Sequence, residues 1–201
     1  VVRKKIKPYN KKIIMEGDKS LSIRWALISS QSFTKCRSSN LLLSEDVINT
    51  LNCLKKLGVK IRLTKNFCEI VGVGLNGFNY KKKLLLNAGN SGTLSRLIMG
   101  LLVHAKNNIK LTGDKSLSKR DFFRVTEPLE KFGAKYFTNF GKLPIIIKGT
   151  NTPLPINYHE TRGSAQCKSA VLLAALNTKG ETIIKAKKSR DHSELLIKYL
   201  K

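Results

Sequence analysis

Residues 87–100 join a turn of small polar residues to an apolar helix that carries one arginine, Arg96. A helix N-terminus has free N–H groups and the positive end of the helix dipole, so it is suited to holding an anion. Gly92 would let a ligand approach the backbone closely. The segment predicts a phosphate or carboxylate site, and the alternative is an ordinary helix start capped by Asn90 or Ser91.

The same design recurs along the chain. Polar turns also open apolar helices at residues 17–27 and 163–172, and the basic residues Arg24, Arg96 and Lys168 follow one another at intervals of 72 residues. Such a fixed interval is typical of a repeated supersecondary unit. The repeated helix starts predict a site for a polyanion between the units.

A second element repeats between these helix starts. Residues 45–61 and 120–136 share a helical pattern that ends in a glycine, Gly58 or Gly133, and a further copy starts at Arg190. A glycine suits the left-handed residue that follows a helix. Short runs of β-branched and aromatic residues predict strands at 61–63, 67–73 and 145–147.

These patterns predict an α/β (α+β) fold of roughly three βαβαββ units, the third of them cut off in its second helix. We therefore expect the chain to be the N-terminal part of a longer protein. Its first residue is Val1 and not methionine, which agrees with a trimmed or non-standard start.

Composition narrows the class of protein. An apolar fraction of 41% over 201 residues permits a real core. No apolar run approaches the roughly 18 residues of a membrane span, and the basic N-terminus lacks the apolar stretch of a signal peptide. The four cysteines show no Cys-x-x-Cys pair and no histidine at metal spacing. The composition predicts a cytoplasmic protein without a metal centre or disulfide frame.

The net charge of +25 raises the possibility of a nucleic-acid partner. The lysines are, however, spread along the chain in ones, twos and threes, and aromatic residues make up only 7% of it. No aromatic platform interleaved with arginines is present in the sequence. The charge therefore favours a solvated lysine-rich surface first, an anionic small substrate second and nucleic acid third.

Several residues at the helix starts could bind an anion. Lysine is a compact charge and arginine a planar fork suited to phosphate or carboxylate, while serine and glutamine add hydroxyl and amide groups. The candidates are Lys19, Ser20, Arg24, Arg120, Ser164, Ala165 (through its backbone), Gln166, Ser189 and Arg190. For each arginine the alternative is a surface ion pair. The acidic residues at these starts are interpreted as caps: Asp18, Asp114 and Asp191.

The order of these motifs resembles the N-terminal half of the EPSP synthase family of enolpyruvyl transferases. The matching stretches cover essentially the whole chain: Gly17-Asp-Lys19-Ser20-x-Ser-x-Arg24, Asn87-Ala-Gly-Asn90-Ser-Gly92-Thr-x-x-Arg96, Thr112-Gly-Asp114-x-Ser-Leu-Ser-Lys-Arg120, Gly163-Ser164-Ala-Gln166-x-Lys168-Ser and Ser189-Arg190-Asp-His-Ser-Glu194. The related transferase that acts on UDP-N-acetylglucosamine is less similar, because this chain has Lys19-Ser20 where that enzyme has a Lys-Asn pair.

The resemblance implies one globe of a two-globe inside-out α/β barrel, each globe containing three βαβαββ units. Residues 1–16 would hold the first strand and pack with the C-terminal globe, which this chain lacks, and residues 17–201 would form the N-terminal globe. The complete protein would be a monomer.

The resemblance also implies a reaction, the transfer of the enolpyruvyl group of phosphoenolpyruvate to the 5-hydroxyl of shikimate 3-phosphate, with release of phosphate. No metal or organic cofactor would take part. Lys19 would act catalytically and contact both substrates. Shikimate 3-phosphate would be bound by Lys19, Ser20, Arg24, Ser164, Ala165, Gln166 and Ser189. Phosphoenolpyruvate would be bound by Lys19, Asn90, Gly92, Arg120 and Gln166.

The family's main acid/base carboxylates belong to the second half of the protein. Because a positioned carboxylate typically contributes about 10²–10⁴-fold to proton transfer, we expect this chain alone to be inactive or nearly so. Three alternatives stay open at this point: a non-catalytic domain that retains affinity for shikimate phosphate, a basic nucleic-acid module, and the UDP-N-acetylglucosamine enolpyruvyl transferase.

Overall fold

The computed structural model describes Asn10 and residues 15–199, in which helices alternate with strands. The helices are α1 (Lys19–Ser29), α2 (Glu45–Lys56), α3 (Gly92–Leu101), α4 (Lys115–Ser118), α5 (Phe123–Glu130), α6 (Ala165–Leu176) and α7 (His192–Tyr199). The strands are β1 (Lys35–Ser39), β2 (Lys60–Leu63), β3 (Phe67–Val71), β4 (Leu84–Asn87), β5 (Ile109–Thr112), β6 (Lys135–Asn139), β7 (Lys142–Lys148), β8 (Asn157–Glu160) and β9 (Ile183–Ala186).

The middle of the chain contains one full βαβαββ unit, from β4 to β7. Strands β4 and β5 pair in parallel across the crossover helix α3, and β7 then pairs antiparallel with both β5 and β6. Before it, β3 lies between β1 and β2 in an antiparallel sheet, and after it β8 and β9 pair in parallel. The repeat expected from the 72-residue interval is therefore visible in the described residues.

The predicted region 1–16 is described only at Asn10, Met15 and Glu16, and the remainder lies outside the described residues. Among the helices that are described, none has the length and apolar character needed to cross a membrane.

Local capping explains where the long helices start. The Asp18 carboxylate accepts the N–H of Leu21 at 2.7 Å, and the Ser91 hydroxyl accepts the N–H of Leu94 at 3.2 Å. Of the two residues that could cap α3, Ser91 is therefore the one that does so. Asp114 accepts the N–H of Leu117 at 2.7 Å, which confirms the predicted cap there.

The expected glycines end α2 and α5. Gly58 has φ +91° and Gly133 has φ +100°, the left-handed conformation that follows a helix. At Asp191, where the sequence predicts a cap, the backbone carbonyl accepts the N–H of Leu195 at 3.0 Å. A side-chain cap by Asp191 stays a prediction.

Several predicted boundaries differ from the structure: the strand expected at 61–63 is Lys60–Leu63 and that expected at 145–147 is Lys142–Lys148. The strand expected at 67–73 ends at Val71, because the N–H of Gly72 bonds the carbonyl of Thr34 and the chain leaves the sheet to pack on the loop after α1. The turn expected before Arg120 contains the one-turn helix α4, which the Asp114 cap and the buried Leu117 stabilise.

Helices α3 and α6 approach each other closely at Gly100. A Cβ atom built on Gly100 would lie 2.1 Å from the carbonyl oxygen of Ala170, so only a glycine allows this contact between the two backbones. The surrounding side chains are fully buried, among them Leu97 and Val171. This contact brings the two helices side by side.

Gly100→Ala is expected to lower the free energy of unfolding by about 1–3 kcal/mol, because a backbone atom cannot move aside as a side chain can. This loss would occur although alanine is intrinsically the better helix former by about 1 kcal/mol. Chemical denaturation of the full gene product would measure it. Gly163→Ala is the comparison, since its Cβ meets nothing within 4 Å and only its φ of +69° costs energy. Unchanged stability of Gly100→Ala would contradict the prediction.

Candidate functional site

The first two turns of α1 and of α3 are both bonded to the first two turns of α6. Arg24 of α1 donates to the Ser169 hydroxyl of α6 at 3.3 Å, and Arg96 of α3 donates to the Gln166 amide oxygen of α6 at 2.5 Å. The three helix N-termini therefore open side by side, as a site for a polyanion requires.

Asn90, Gly92 and Arg120, predicted as one binding group, are together in the structure. Arg120 donates to the Asn90 amide oxygen at 2.8 Å, and Asn90 in turn donates to Asp114 at 2.7 Å. Gly92 is the first residue of α3, and a Cβ atom on it would lie 2.8 Å from Nη1 of Arg120. The absence of a side chain at Gly92 leaves room for the guanidinium beside the helix N-terminus.

Gln166 is held in one orientation by its neighbours. A guanidinium can only donate, so the amide oxygen of Gln166 must face Arg96. Its amide nitrogen then donates to the Thr93 hydroxyl at 3.1 Å. Gln166 thereby links the start of α6 to the start of α3.

Arg96 is 4 % exposed and lies beneath this group. Burial lowers the pKa of its guanidinium to about 10, and the positive charges of Arg124 and Arg120 act in the same direction. The guanidinium also lies 5.4 Å from the centre of the Phe122 ring, and its Nε has no hydrogen-bond partner among the described residues. The local field is therefore positive.

Lys19 and Ser20 begin α1 as predicted. The ammonium of Lys19 lies 3.0 Å from the Asp46 carboxylate of α2, with the Lys19 side chain about half exposed. Such an exposed ion pair is worth only about 0–1 kcal/mol, so the lysine can exchange this partner for another anion. The Ser20 carbonyl accepts a bond from Arg24 at 3.2 Å.

Arg24 is buried in contacts with the protein itself. It is 4 % exposed and donates through Nε to the Ser193 hydroxyl at 2.8 Å, in addition to its bond to Ser169. Burial lowers the pKa of Arg24 and the nearby Arg190 lowers it further, while Glu194 acts in the opposite direction. Arg24 therefore supports the site from below, with part of its guanidinium committed to α6 and α7.

The third periodic cation, Lys168, is 9 % exposed and paired with Glu194 of α7. The three periodic basic residues are therefore not free at the surface, and a role for them in binding an anion stays a prediction. All three are buried where one helix packs against another, and each bonds to a residue of a neighbouring helix.

Ser164 and Ala165 begin α6. The Ser164 hydroxyl accepts the N–H of Cys167 at 3.2 Å, so its own proton is available to another acceptor. Ala165 is the first residue of α6, where backbone N–H groups have no partner within the helix. Ser189 lies in the loop before α7, and its hydroxyl oxygen is buried without a partner among the described residues.

Two residues near the site were not singled out from the sequence. Asp46, the partner of Lys19, follows Glu45 at the start of α2 and looks locally like any acidic residue in a first helical turn. Glu160 accepts the N–H of Ser164 at 2.8 Å and belongs to none of the repeated motifs. Within the described residues no group of three or more His, Cys, Asp or Glu side chains could hold a metal ion.

A family model, related sequences and a solved structure all match this chain and point to one family. Residues 3–201 match the model of the family described as EPSP synthase (3-phosphoshikimate 1-carboxyvinyltransferase). The 3-phosphoshikimate 1-carboxyvinyltransferase of Bradyrhizobium diazoefficiens is 40% identical over 196 residues, which cover 96% of this chain and 42% of that protein. The enzyme of Ruthia magnifica subsp. Calyptogena magnifica is 46% identical over 184 residues, covering 90% and 42%.

A solved structure of EPSP synthase from Acinetobacter baumannii superimposes with a TM-score of 0.87 at 35% identity, covering 94% of this chain and 43% of that one. The chain thus spans less than half the length of the relatives it matches. The similarity confirms the predicted fold class, repeated units of the inside-out α/β fold of EPSP synthase. The chain belongs to the EPSP synthase (3-phosphoshikimate 1-carboxyvinyltransferase) family.

Proposed function

We propose that the polypeptide containing this chain transfers the enolpyruvyl group of phosphoenolpyruvate to the 5-hydroxyl of shikimate 3-phosphate and releases phosphate. The observation that carries the proposal is that α3 and α6 are bonded together at their starts, beside Asn90 and Arg120, in a member of this family whose α1 begins with Lys19. The two substrates bring two phosphates and two carboxylates together. Fixed cations and helix N-termini would offset that repulsion before reaction begins.

Phosphoenolpyruvate would bind at the start of α3. Arg120 offers a planar fork for its carboxylate or phosphate, and Asn90 holds that fork through its amide oxygen. Gly92 would let the ligand approach the helix N-terminus. Gln166, whose oxygen faces Arg96, would contribute its amide nitrogen in place of the bond to Thr93.

Shikimate 3-phosphate would bind across α1, α6 and the loop before α7. The Ser164 hydroxyl and the N–H of Ala165 are suited to its phosphate. Ser189 supports this placement, because a buried hydroxyl without a partner is costly unless something pairs with it. Ser20 would hold the substrate from the α1 side, and Arg24, which lies beneath it, would do so with the part of its guanidinium that is not bonded to Ser169 and Ser193.

Lys19 would lie between the two substrates. Its ammonium would leave Asp46 for the developing negative charge where the 5-hydroxyl attacks the enolpyruvyl carbon. The main acid/base carboxylates would come from a part of the protein beyond this chain, so we expect residues 1–201 alone to be inactive or nearly so. The complete enzyme would be a cytoplasmic monomer without bound nucleic acid.

Calorimetry with each substrate and a phosphate-release assay, both on the full gene product, test the proposal. Binding of both substrates with release of phosphate supports it. Binding of shikimate 3-phosphate without turnover identifies the non-catalytic alternative, and turnover of UDP-N-acetylglucosamine identifies the related transferase. Binding of DNA or RNA that weakens steeply with salt, in place of substrate binding, would point to a nucleic-acid module.

A further inference from the structure

Glu160 is a buried carboxylate whose hydrogen bonds, among the described residues, all come from the backbone of the loop after it. The residue ends β8 and is 2 % exposed. One carboxylate oxygen accepts the N–H of Arg162 at 3.1 Å, and the other accepts the N–H of Ser164 at 2.8 Å. Among the described residues, no cation lies within 4.0 Å of it. The carboxylate therefore stabilises the backbone conformation of residues 161–164.

The backbone of Glu160 reaches the second loop of the site. Glu160 pairs with Ala186 in the ladder of β8 and β9, and its carbonyl accepts the N–H of Lys187 at 3.1 Å. Lys187 lies two residues before Ser189, whose hydroxyl is buried without a described partner. Glu160 thus joins, through its side chain and its main chain, the two loops that carry Ser164 and Ser189.

A carboxylate suits this position better than a neutral group of the same shape. Both of its oxygens accept, whereas an amide would turn its NH₂ group toward one of the two N–H donors. Burying a charge costs free energy unless the charge is hydrogen-bonded, and an apolar residue would fill the space at a lower cost. A carboxylate at this position therefore indicates that its two hydrogen bonds to the loop are needed. The loop also needs an anchor, because Gly163 has φ +69° and open space around it.

We propose that Glu160 is a positioning residue for shikimate 3-phosphate. By holding the loop, it aims the Ser164 hydroxyl and the free N–H groups of α6 at the substrate phosphate. This inference rests on the proposed function, since it concerns the same substrate. It predicts an effect on one substrate only, because Asn90 and Arg120 are held by a separate set of bonds.

The test compares Glu160→Gln with Glu127→Gln in the full gene product. Glu127 and Glu160 both line a cleft of about 540 Å³, but Glu127 is exposed, so it controls for the loss of a negative charge nearby. Glu160→Gln is expected to raise KM for shikimate 3-phosphate about tenfold, the effect of one lost charge-assisted hydrogen bond. KM for phosphoenolpyruvate should change less than about twofold, and Glu127→Gln should behave as wild type.

Hydrogen exchange provides a readout that does not depend on activity. In Glu160→Gln, and more weakly in Glu160→Asp, the amides of residues 161–166 should exchange faster while those of α3 keep their protection. An unchanged KM for shikimate 3-phosphate with unchanged exchange overturns the inference. Equal rises in both KM values, together with a lower melting temperature, also overturn it, because they indicate a purely structural role.

The two proposals fail in different ways. If the wild-type protein neither binds nor turns over shikimate 3-phosphate, the proposed function is wrong, and the inference about its substrate falls with it. If the wild type is active and Glu160→Gln matches it in both assays, only the inference about Glu160 is wrong.

Discussion

Lys19→Ala is expected to lower kcat/KM of the full gene product by about 10²–10³-fold, because it removes the one cation proposed to contact both substrates. The fold should survive. The ion pair with Asp46 is half exposed on the lysine side, and such pairs contribute little to stability. Steady-state kinetics with each substrate varied in turn would measure the loss, and a thermal melt would check the fold.

The chain contains an unusually close control for this variant. Residues 17–22 and 113–118 both read Gly-Asp-Lys-Ser-Leu-Ser, and the aspartate caps a helix in both. Lys115→Ala therefore removes the same residue type from the same local sequence, where no substrate contact is proposed. It should retain activity within about twofold. Equal losses in Lys19→Ala and Lys115→Ala would mean that general surface charge matters and that Lys19 has no special position.

Gly92→Ala is expected to raise KM for phosphoenolpyruvate by at least about tenfold, with little change in KM for shikimate 3-phosphate. The new Cβ would lie 2.8 Å from Nη1 of Arg120 and 3.1 Å from Nη1 of Arg96. Both contacts are tips of flexible side chains, so these groups would shift. We therefore expect the protein to fold, with the Arg120 guanidinium displaced from the position in which it would bind the anion.

Gly100→Ala is the matched comparison in the same helix. There the Cβ would meet the backbone of Ala170 at 2.1 Å, so its effect should appear in stability. The two substitutions are eight positions apart on α3. Gly92→Ala should therefore change KM with little effect on stability, and Gly100→Ala should lower stability with little effect on KM. A Gly92→Ala protein with normal KM for phosphoenolpyruvate, or one that fails to fold, would contradict the proposed role of Gly92.

Much of the fold could be predicted because its signals are local. A cap and the N–H that it accepts are only three residues apart, as with Asp18 and Leu21 or Ser91 and Leu94. The glycines after α2 and α5 act on their own helix ends. For the same reason Lys19, Asn90 and Gln166 could be proposed as candidate site residues from their motifs at the helix starts.

The burial of individual side chains could not be predicted from such local signals. Arg24 is a candidate anion ligand in the sequence and Arg96 is the basic residue of a predicted anion-binding segment, yet each is 4 % exposed. The bonds of Arg24 reach Ser169 and Ser193, which lie 145 and 169 residues away along the chain. Only the packing of α1 against α6 and α7 decides that these groups meet.

The two identical segments at residues 17–22 and 113–118 show which features are set by local sequence and which by tertiary structure. Sequence alone determined that both begin with a capped helical turn, because the cap acts within three residues. After residue 22 the chain continues with apolar residues and forms the eleven-residue α1, whereas α4 stops after four. Tertiary structure alone placed Asp46 against Lys19 and Glu160 beneath Ser164. These partners come from other elements, so no local pattern records them, and packing brings them into contact.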